Sequence, residues 1–177
     1  MALFLLILYR NHGTKSVTML IQKIMALPLR LIFLLPLLSL FFLSCEKDEH
    51  AERAEKERKQ ILEYIEENNL DAYEHESGIF IVVAYQGSGS TPREDSTVRM
   101  KFNAFTLKDE KMFYSTYDEF VYLPNEPMGF RLGVMEFTRG GKGVIFVPSA
   151  LGYGPYSNMY VDRNAVLKYE IEIIDFN

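Results

Sequence analysis

The chain has 177 residues, 48% of them hydrophobic and 14% aromatic, which is enough to bury one core and favours a single domain. Residues 1–44 contain four basic side chains and no acidic one, so the overall net charge of −5 corresponds to −9 for residues 45–177. Such an acidic domain is a poor candidate for binding nucleic acid, because phosphates require a basic surface.

The front of the chain has the layout of a secretory signal. Lys23 and Arg30 precede a run of thirteen uncharged, mainly apolar residues, which ends at small residues. A basic region, a short apolar core and a small residue before the cleavage point are typical of a signal peptide. We therefore expect residues 1–44 to be a signal peptide, with Met19 or Met25 as alternative start positions.

Cys45 is the only cysteine of the chain, so it cannot form an intramolecular disulfide. The sequence Leu43-Ser44-Cys45 resembles the cleavage box of bacterial lipoproteins, which implies a lipid anchor on Cys45. A transmembrane anchor is the alternative, but thirteen residues containing Pro36 fall short of the roughly 20 that a spanning helix needs. The expected location is the cell envelope, lipid-anchored in the outer membrane of a Gram-negative bacterium, on its periplasmic or surface face.

Residues 45–76 are predicted to form a charged tether that contains one helix. Two Glu–Lys pairs are spaced four residues apart in the order that favours a helix. Ile61, Leu62 and Ile65 add a short apolar stripe. We expect a helix of about fifteen residues that ends near Asn68.

Residues 77–177 are predicted to form the folded domain, built on a mainly antiparallel sheet. Its strands show β-branched and aromatic runs or a strict alternation of apolar and polar residues; they are expected at 79–85, 98–104, 112–115, 144–147 and 167–173. One short helix is expected within 130–137, where Gly133 lowers the helix propensity. Asp95, Asp109 and Asp118 are interpreted as turn residues.

The most specific stretch is 140–154, which reads Gly-Gly-Lys-Gly-Val-Ile-Phe-Val-Pro-Ser-Ala-Leu-Gly-Tyr-Gly. A glycine turn leads into a buried strand, Pro148 ends the strand, and Tyr153 is presented between two glycines. This run resembles the GGKxxxxIPxxLAYG segment of FKBP-type peptidyl-prolyl isomerases at the same spacing. The resemblance extends over about residues 77–176 through Gly87-Ser88-Gly89 with Pro92, the FDSSYD-like 113–118, the GWxxG-like 129–133 and the NAxLxFxVE-like 164–172.

The resemblance implies an α+β fold: an FKBP-like twisted antiparallel sheet wrapped over a short helix, preceded here by a charged N-terminal helix. It implies a peptidyl-prolyl cis-trans isomerase that acts on proline-containing peptides or unfolded proteins without a cofactor or metal. The barrier to rotation of an X–Pro amide comes from its partial double bond. A water-excluding aromatic pocket favours the less polar twisted amide, so no nucleophile is required.

The resemblance also assigns a site. The prolyl-pocket positions of the family correspond to Phe102, Phe113, Tyr114, Phe130, Tyr153 and Tyr169, and further substrate contacts to Val121, Pro127, Tyr160 and Val161. Tyr114 stands where the family has Asp, Phe130 where it has Trp and Phe102 where it has Tyr. Glu126-Pro127 replaces a Val-Ile pair, and a proline has no N–H to donate.

These departures leave alternatives to an active isomerase. The first is a catalytically weak or inactive FKBP-like lipoprotein that holds a peptide or partner protein. The second is a purely structural envelope lipoprotein. An open hole bounded by Phe130 and Tyr153 would favour a binding or catalytic role, and a filled aromatic cluster would favour the structural one. His12, His50 and His75 are isolated in the sequence and predict no metal site.

Overall fold

The computed structural model describes residues 49–157 and 159–177. The predicted signal peptide over 1–44, the alternative starts Met19 and Met25, and the lipidation site Cys45 lie outside the described residues. Ala51–Asn177 form one compact unit. No helix in the described part of the chain combines the length and the apolar character needed to cross a membrane.

The centre of the unit is a six-stranded antiparallel sheet. Its strands are β1 (Ala72–Glu74), β2 (Phe80–Tyr85), β3 (Thr97–Thr106), β4 (Lys111–Tyr122), β5 (Lys142–Val147) and β6 (Leu167–Phe176). Their order across the sheet is β1-β2-β5-β6-β3-β4, and each neighbouring pair is antiparallel. Every second residue of β3 is buried, from Val98 to Thr106, as the alternation predicts. The predicted α+β architecture, an antiparallel sheet with a short helix and a preceding N-terminal helix, is confirmed.

A short helix, α2 (Met128–Val134), covers one face of the sheet. Its fully buried Phe130 and Val134 belong to the main hydrophobic cluster, together with Ile145 and Val147 of β5. A Cβ atom on Gly133 would lie 2.5 Å from Cγ2 of Ile145, and one on Gly129 would clash with Val147. Gly133 therefore lowers the helix propensity but allows the helix to approach the sheet closely.

The opposite face is covered by the helix α1, whose described residues are 49–67. Ile61 of α1 is fully buried against Phe80 and Phe146, and Tyr64 packs beside them with its ring 5.5 Å from that of Phe146. Neighbouring residues of β2 and β5 thus alternate between two clusters, because Phe80 and Phe146 face α1 while Ile81 and Ile145 face the main core. Both faces of the sheet are therefore buried at these positions.

Much of the segment predicted as a tether packs with the sheet. β1 pairs with β2, and Arg58 of α1 donates to both carboxylate oxygens of Glu74 in β1, at 3.0 and 2.8 Å. The boundary placed at residue 77 stays a prediction, yet 51–76 belong to the same compact unit as the rest. Leu62, expected on the apolar stripe, is 37% exposed, and Tyr64 takes its place against the sheet.

Two local predictions were wrong. The strand expected at 112–115 continues to Tyr122, because β4 pairs with β3 along its whole length. Asp118 lies within this strand rather than in a turn, where it accepts two hydrogen bonds from Arg99 on the neighbouring strand, at 2.7 and 2.6 Å. Pairing with a partner strand overrides the weak local propensity of a polar stretch.

Candidate active site

A cavity of about 490 Å³ opens at the β4 edge of the main core, between β3, β4, β6 and the loop that follows β5. Its wall is mainly aromatic and includes two carboxylates. The residues that line it are Phe102, Ala104, Phe113, Tyr114, Glu119, Phe120, Val121, Tyr122, Asn125, Glu126, Tyr153, Tyr160 and Tyr169. We call this cavity the aromatic pocket.

A second concavity of about 740 Å³ lies between α1 and the Leu107–Lys108 turn. It is lined largely by charged and amide side chains of the helix, among them Arg53, Lys56 and Glu63. Such a surface remains hydrated and cannot provide the low-polarity environment that the predicted chemistry needs. The aromatic pocket is therefore the better candidate site.

The floor of the aromatic pocket is a stack of rings supported by α2. Phe130 is fully buried, with its ring centroid 5.2 Å from that of Phe102 and 4.7 Å from that of Tyr169. Tyr114 stacks on Phe102 at 5.1 Å. The two glycines of α2 allow the helix to lie close to β5. Phe130 therefore packs beneath the lining residues Phe102 and Tyr169 and is not itself part of the lining.

One side wall is formed by Phe113 and Tyr153, whose rings meet edge to face at 6.3 Å. Tyr153 is 36% exposed. Its loop is closed by the backbone, because the N–H groups of Gly152 and Gly154 both donate to the carbonyl of Ser149, at 3.0 and 2.8 Å. Gly154 adopts a φ of 60°, which glycine tolerates best. The glycines beside Tyr153 thus present the ring to the pocket, as the sequence predicts.

A bulge in β4 decides which polar groups enter the pocket. Tyr114 and Glu119 are five residues apart, an odd separation that places side chains on opposite faces of a regular strand. Here Tyr114 pairs with Ala104 of β3, and Glu119 pairs with Met100 of β3. Ala104 and Met100 are four residues apart, whereas Tyr114 and Glu119 are five apart, because β4 carries one extra residue between Thr116 and Glu119. Both side chains consequently lie on the core face.

Tyr114 occupies the position where the family has Asp, and its hydroxyl donates to Oε2 of Glu119 at 2.5 Å. This hydrogen bond, together with burial, raises the pKa of Tyr114 to about 12. The hydroxyl therefore stays protonated across the physiological range and remains engaged with a carboxylate. The chain keeps a negative charge near this position, but the charge comes from Glu119 rather than from residue 114.

The deepest polar group is the Tyr169 hydroxyl. Tyr169 is only 3% exposed, and no atom of the described residues meets hydrogen-bond geometry with its hydroxyl oxygen. Burial raises its pKa well above the usual range, and the nearby Tyr153 and Glu126 raise it further. Glu126 itself is partly buried, and burial followed by repulsion from Glu119 raises its pKa.

The structure brings together most of the predicted site residues. Those that line the aromatic pocket are Phe102, Phe113, Tyr114, Val121, Tyr153, Tyr160 and Tyr169. Phe130 lies directly beneath. Pro127 and Val161 are not among the lining residues: Pro127 caps the start of α2, and Val161 is 2% exposed within the main core. Their roles, and those of the lining residues, stay predictions.

Sequence reasoning missed Glu119, Phe120 and Tyr122. The alternation of the β4 sequence is broken by the bulge, so the facing of these residues follows only from the pairing register with β3. Within 49–157 and 159–177, no three His, Cys, Asp or Glu side chains are grouped so that they could hold a metal ion.

Residues 88–174 match the model of the FKBP-type peptidyl-prolyl cis-trans isomerases. The chain belongs to this family. The FKBP-type peptidyl-prolyl cis-trans isomerase FkpA of Escherichia coli (strain K12) is 28% identical over 108 residues, which cover 56% of this chain and 38% of that protein. FkpA of Aeromonas hydrophila is 31% identical with the same coverage. The chain thus matches well under half the length of these curated FKBP-type relatives.

Solved structures show the same FKBP fold. The crystal structure of FkpA from Escherichia coli gives a TM-score of 0.63 at 20% identity, covering 94% of this chain and 74% of that chain. The N-terminal domain of FKBP42 from Arabidopsis thaliana gives 0.56 at 26% identity, covering 60% of this chain and 92% of that domain. At 20% identity the first of these supports the fold alone.

Proposed function

We propose that this FKBP domain catalyses the cis-trans isomerisation of X–Pro bonds in peptides or unfolded proteins, with the proline bound in the aromatic pocket. The observation that carries the proposal is a cavity of about 490 Å³ that remains open above an aromatic floor. A protein with only a structural role would gain stability by filling this space. The open cavity therefore favours a binding or catalytic role over a purely structural one.

The chemistry needs no group that is chemically transformed. The planar X–Pro amide is polar because of its resonance, and the twisted amide at the top of the roughly 18–20 kcal/mol barrier has lost that resonance. A pocket that replaces water with aromatic surface stabilises the twisted form relative to the planar one. In this proposal Phe102, Phe113 and Tyr169 surround the proline ring, and Tyr153 lies beside the C–N bond that rotates; no bond is cleaved.

Phe130 acts as a positioning residue in this proposal. It is fully buried and contacts both Phe102 and Tyr169, so it holds the two rings that meet the proline. Phenylalanine in place of the usual tryptophan keeps an aromatic support for the floor. Val121 and Tyr160 supply further contact surface from the lining.

The test is exchange NMR on a short Leu-Pro peptide with the full chain in mild detergent. Tyr153→Ala is the pocket variant, and Tyr156→Ala is its matched control, because Tyr156 is on the same loop, 77% exposed and outside the lining. We expect acceleration well above the slow uncatalysed rate, on the scale of tens of seconds, for the native chain and Tyr156→Ala. A loss of at least about tenfold is expected for Tyr153→Ala. A folded native chain that gives no acceleration would exclude catalysis.

A binding module with little activity is the second candidate. It is favoured by two observations: the Tyr114 hydroxyl in the pocket is engaged with Glu119, and Pro127, which follows the lining residue Glu126, offers no backbone N–H. In the same NMR experiment, shifts or broadening of peptide signals without faster cis-trans exchange would identify this function.

We also propose that the protein acts in the cell envelope, anchored to the outer membrane through a lipid on Cys45. The support is the basic region and short apolar run before Leu43-Ser44-Cys45. Metabolic labelling with palmitate in a Gram-negative host tests it. Native protein should carry the label and Cys45→Ser should not, and label retained by Cys45→Ser would overturn the proposal. Protease treatment of intact cells then distinguishes the surface from the periplasmic face.

A further inference from the structure

The aromatic pocket carries an uncompensated negative charge. Two of its thirteen lining residues are carboxylates, Glu119 and Glu126, and none is Lys, Arg or His. Across 49–157 and 159–177, neither carboxylate forms an ion pair. A pocket that simply held an apolar side chain would not need two carboxylates in its wall.

Two cations on elements next to the pocket, Arg99 and Arg131, are paired with other carboxylates. Arg99 of β3 forms a two-pronged pair with Asp118, at 2.7 and 2.6 Å, on the face opposite to the buried Met100. Arg131 of α2 pairs with Glu94 at 3.5 Å. The negative potential of the pocket is therefore available to a ligand.

The two carboxylates also act on each other. Burial, and then the charge of Glu119, raise the pKa of Glu126, so the two carboxylates repel each other. A cation bound between them would relieve that repulsion while gaining attraction from both. The Tyr160 ring in the lining, at 57% exposure, suits the alkyl stem and the charge of a basic side chain.

A separate observation shows that the pocket is built for a ligand with a hydrogen-bonding group. The Tyr169 hydroxyl is buried in the lining close to the Tyr153 hydroxyl, and no atom of the described residues meets full hydrogen-bond geometry with it. A buried hydroxyl without a partner is costly, so its retention points to a ligand that supplies an acceptor. A carbonyl oxygen of a bound peptide backbone would do so.

We propose that the pocket selects X–Pro peptides that carry Lys or Arg beside the proline, with the cation between Glu119 and Glu126 and a peptide carbonyl accepting from Tyr169. This inference rests on the proposed function, since it names the substrate class of the same pocket. It goes beyond the apolar proline contact, which would accept any neighbour of the proline.

The experiment compares three peptides X-Pro-X, with X as Lys, norleucine or Glu, using the full chain. Dissociation constants and exchange rates are both measured by NMR. We expect the Lys peptide to bind about tenfold or more tightly than the Glu peptide, and the ratio to shrink at high salt, because part of the attraction is screened. In Glu119→Gln/Glu126→Gln the Lys-to-Glu ratio should fall to about two, which leaves only the residual field of the domain.

The matched control is Glu66→Gln/Glu67→Gln, which removes the same net charge from exposed residues of α1 that lie outside the pocket and form no ion pair among the described residues. It should keep the native ratio. Equal affinity for the three peptides, or an equal loss of the ratio in both double variants, would overturn the inference while leaving the isomerase proposal intact. Absence of binding and of acceleration for all three peptides, norleucine included, would overturn the proposed function and this inference together.

A second variant separates the hydrogen bond from the charges. Tyr169→Phe should weaken the binding of all three peptides by a similar factor of about three to ten. The substitution removes the donor to the peptide backbone and leaves both carboxylates in place. Unchanged affinity for all three in this variant would contradict the assigned acceptor.

Discussion

Glu57 of α1 and Ser149, 92 residues apart in sequence, share two buried hydrogen bonds: the Ser149 N–H donates to Oε2 at 2.8 Å and the Ser149 hydroxyl donates to Oε1 at 2.6 Å. Both side chains are almost completely buried. Ser149 in turn accepts from Gly152 and Gly154 on either side of Tyr153. The N-terminal helix therefore supports, from the opposite face, the loop that presents a wall residue of the aromatic pocket.

Glu57→Ala should destabilise the domain by about 2–3 kcal/mol, because two buried donors of Ser149 lose a charged acceptor. Urea denaturation followed by circular dichroism measures the change. The control is Glu52→Ala, an exposed residue of the same helix without an ion pair among the described residues. It should change stability by less than about 0.5 kcal/mol, and an equal effect of the two variants would contradict a specific role for Glu57.

Gly133→Ala should destabilise by about 1–3 kcal/mol even though alanine is the better helix former. The new methyl group would lie 2.5–2.9 Å from three carbons of Ile145, in the fully buried core. Met128→Ala on the same helix, where Met128 is 51% exposed, is expected to be nearly neutral. Thermal unfolding of both variants provides the measurement, and a stabilised Gly133→Ala would show that α2 does not pack as described.

Tyr169→Phe should leave the free domain as stable as the native chain, or more stable by up to about 1 kcal/mol, since the deleted hydroxyl has no partner among the described residues. Tyr73→Phe is the informative comparison, because the Tyr73 hydroxyl donates to Glu136 at 3.0 Å. Loss of that bond should cost about 0.5–1.5 kcal/mol. The two tyrosines should therefore respond in opposite directions in the same denaturation assay, and a destabilised Tyr169→Phe would reveal a partner for its hydroxyl.

Glu126→Gln should make stability less dependent on pH. Burial and then Glu119 raise the pKa of Glu126 in the folded chain, so the folded state holds the proton more tightly than the unfolded state. Stability is therefore lost as the pH rises from about 4.5, the ordinary value, through the raised folded pKa. At pH 7 the variant should be the more stable protein, by less than about 1 kcal/mol because partial exposure screens the charge.

The measurement for Glu126→Gln is the unfolding free energy at pH 7 and at pH 4. The advantage of the variant should shrink at pH 4, where Glu126 of the native chain is largely protonated. A variant that is less stable than the native chain at both values would show that the carboxylate makes a favourable contact.

The strands were predictable wherever a strand is half buried over its whole length. β3 and β6 alternate apolar and polar residues, and both lie inside the sheet with one face in the main core. The edge strands were harder. β1 has three residues and no period, and the second half of β4 reads as a polar turn until its pairing with β3 is known. Asp118 was misplaced for this reason.

The pocket was predictable in its rings and not in its charges. Phe102, Phe113, Tyr153 and Tyr169, which the family motifs indicated as site residues, all line the cavity, and their roles remain predictions. The spacing of those motifs could not separate Phe130, which supports the floor, from the rings that reach the cavity, because that depends on how closely α2 approaches β5.

The amino-acid sequence by itself determined the central strands and the short helix, because local periodicity and glycine and proline chemistry act over a few residues. Its resemblance to the family motifs indicated the family. Tertiary structure alone decided that Glu119 enters the pocket through the β4 bulge and that Glu57 is buried beneath the loop of Tyr153. Both facts depend on pairing between distant segments. A one-residue shift of register reverses the facing of a side chain. A contact between residues 92 apart leaves no local trace in the sequence.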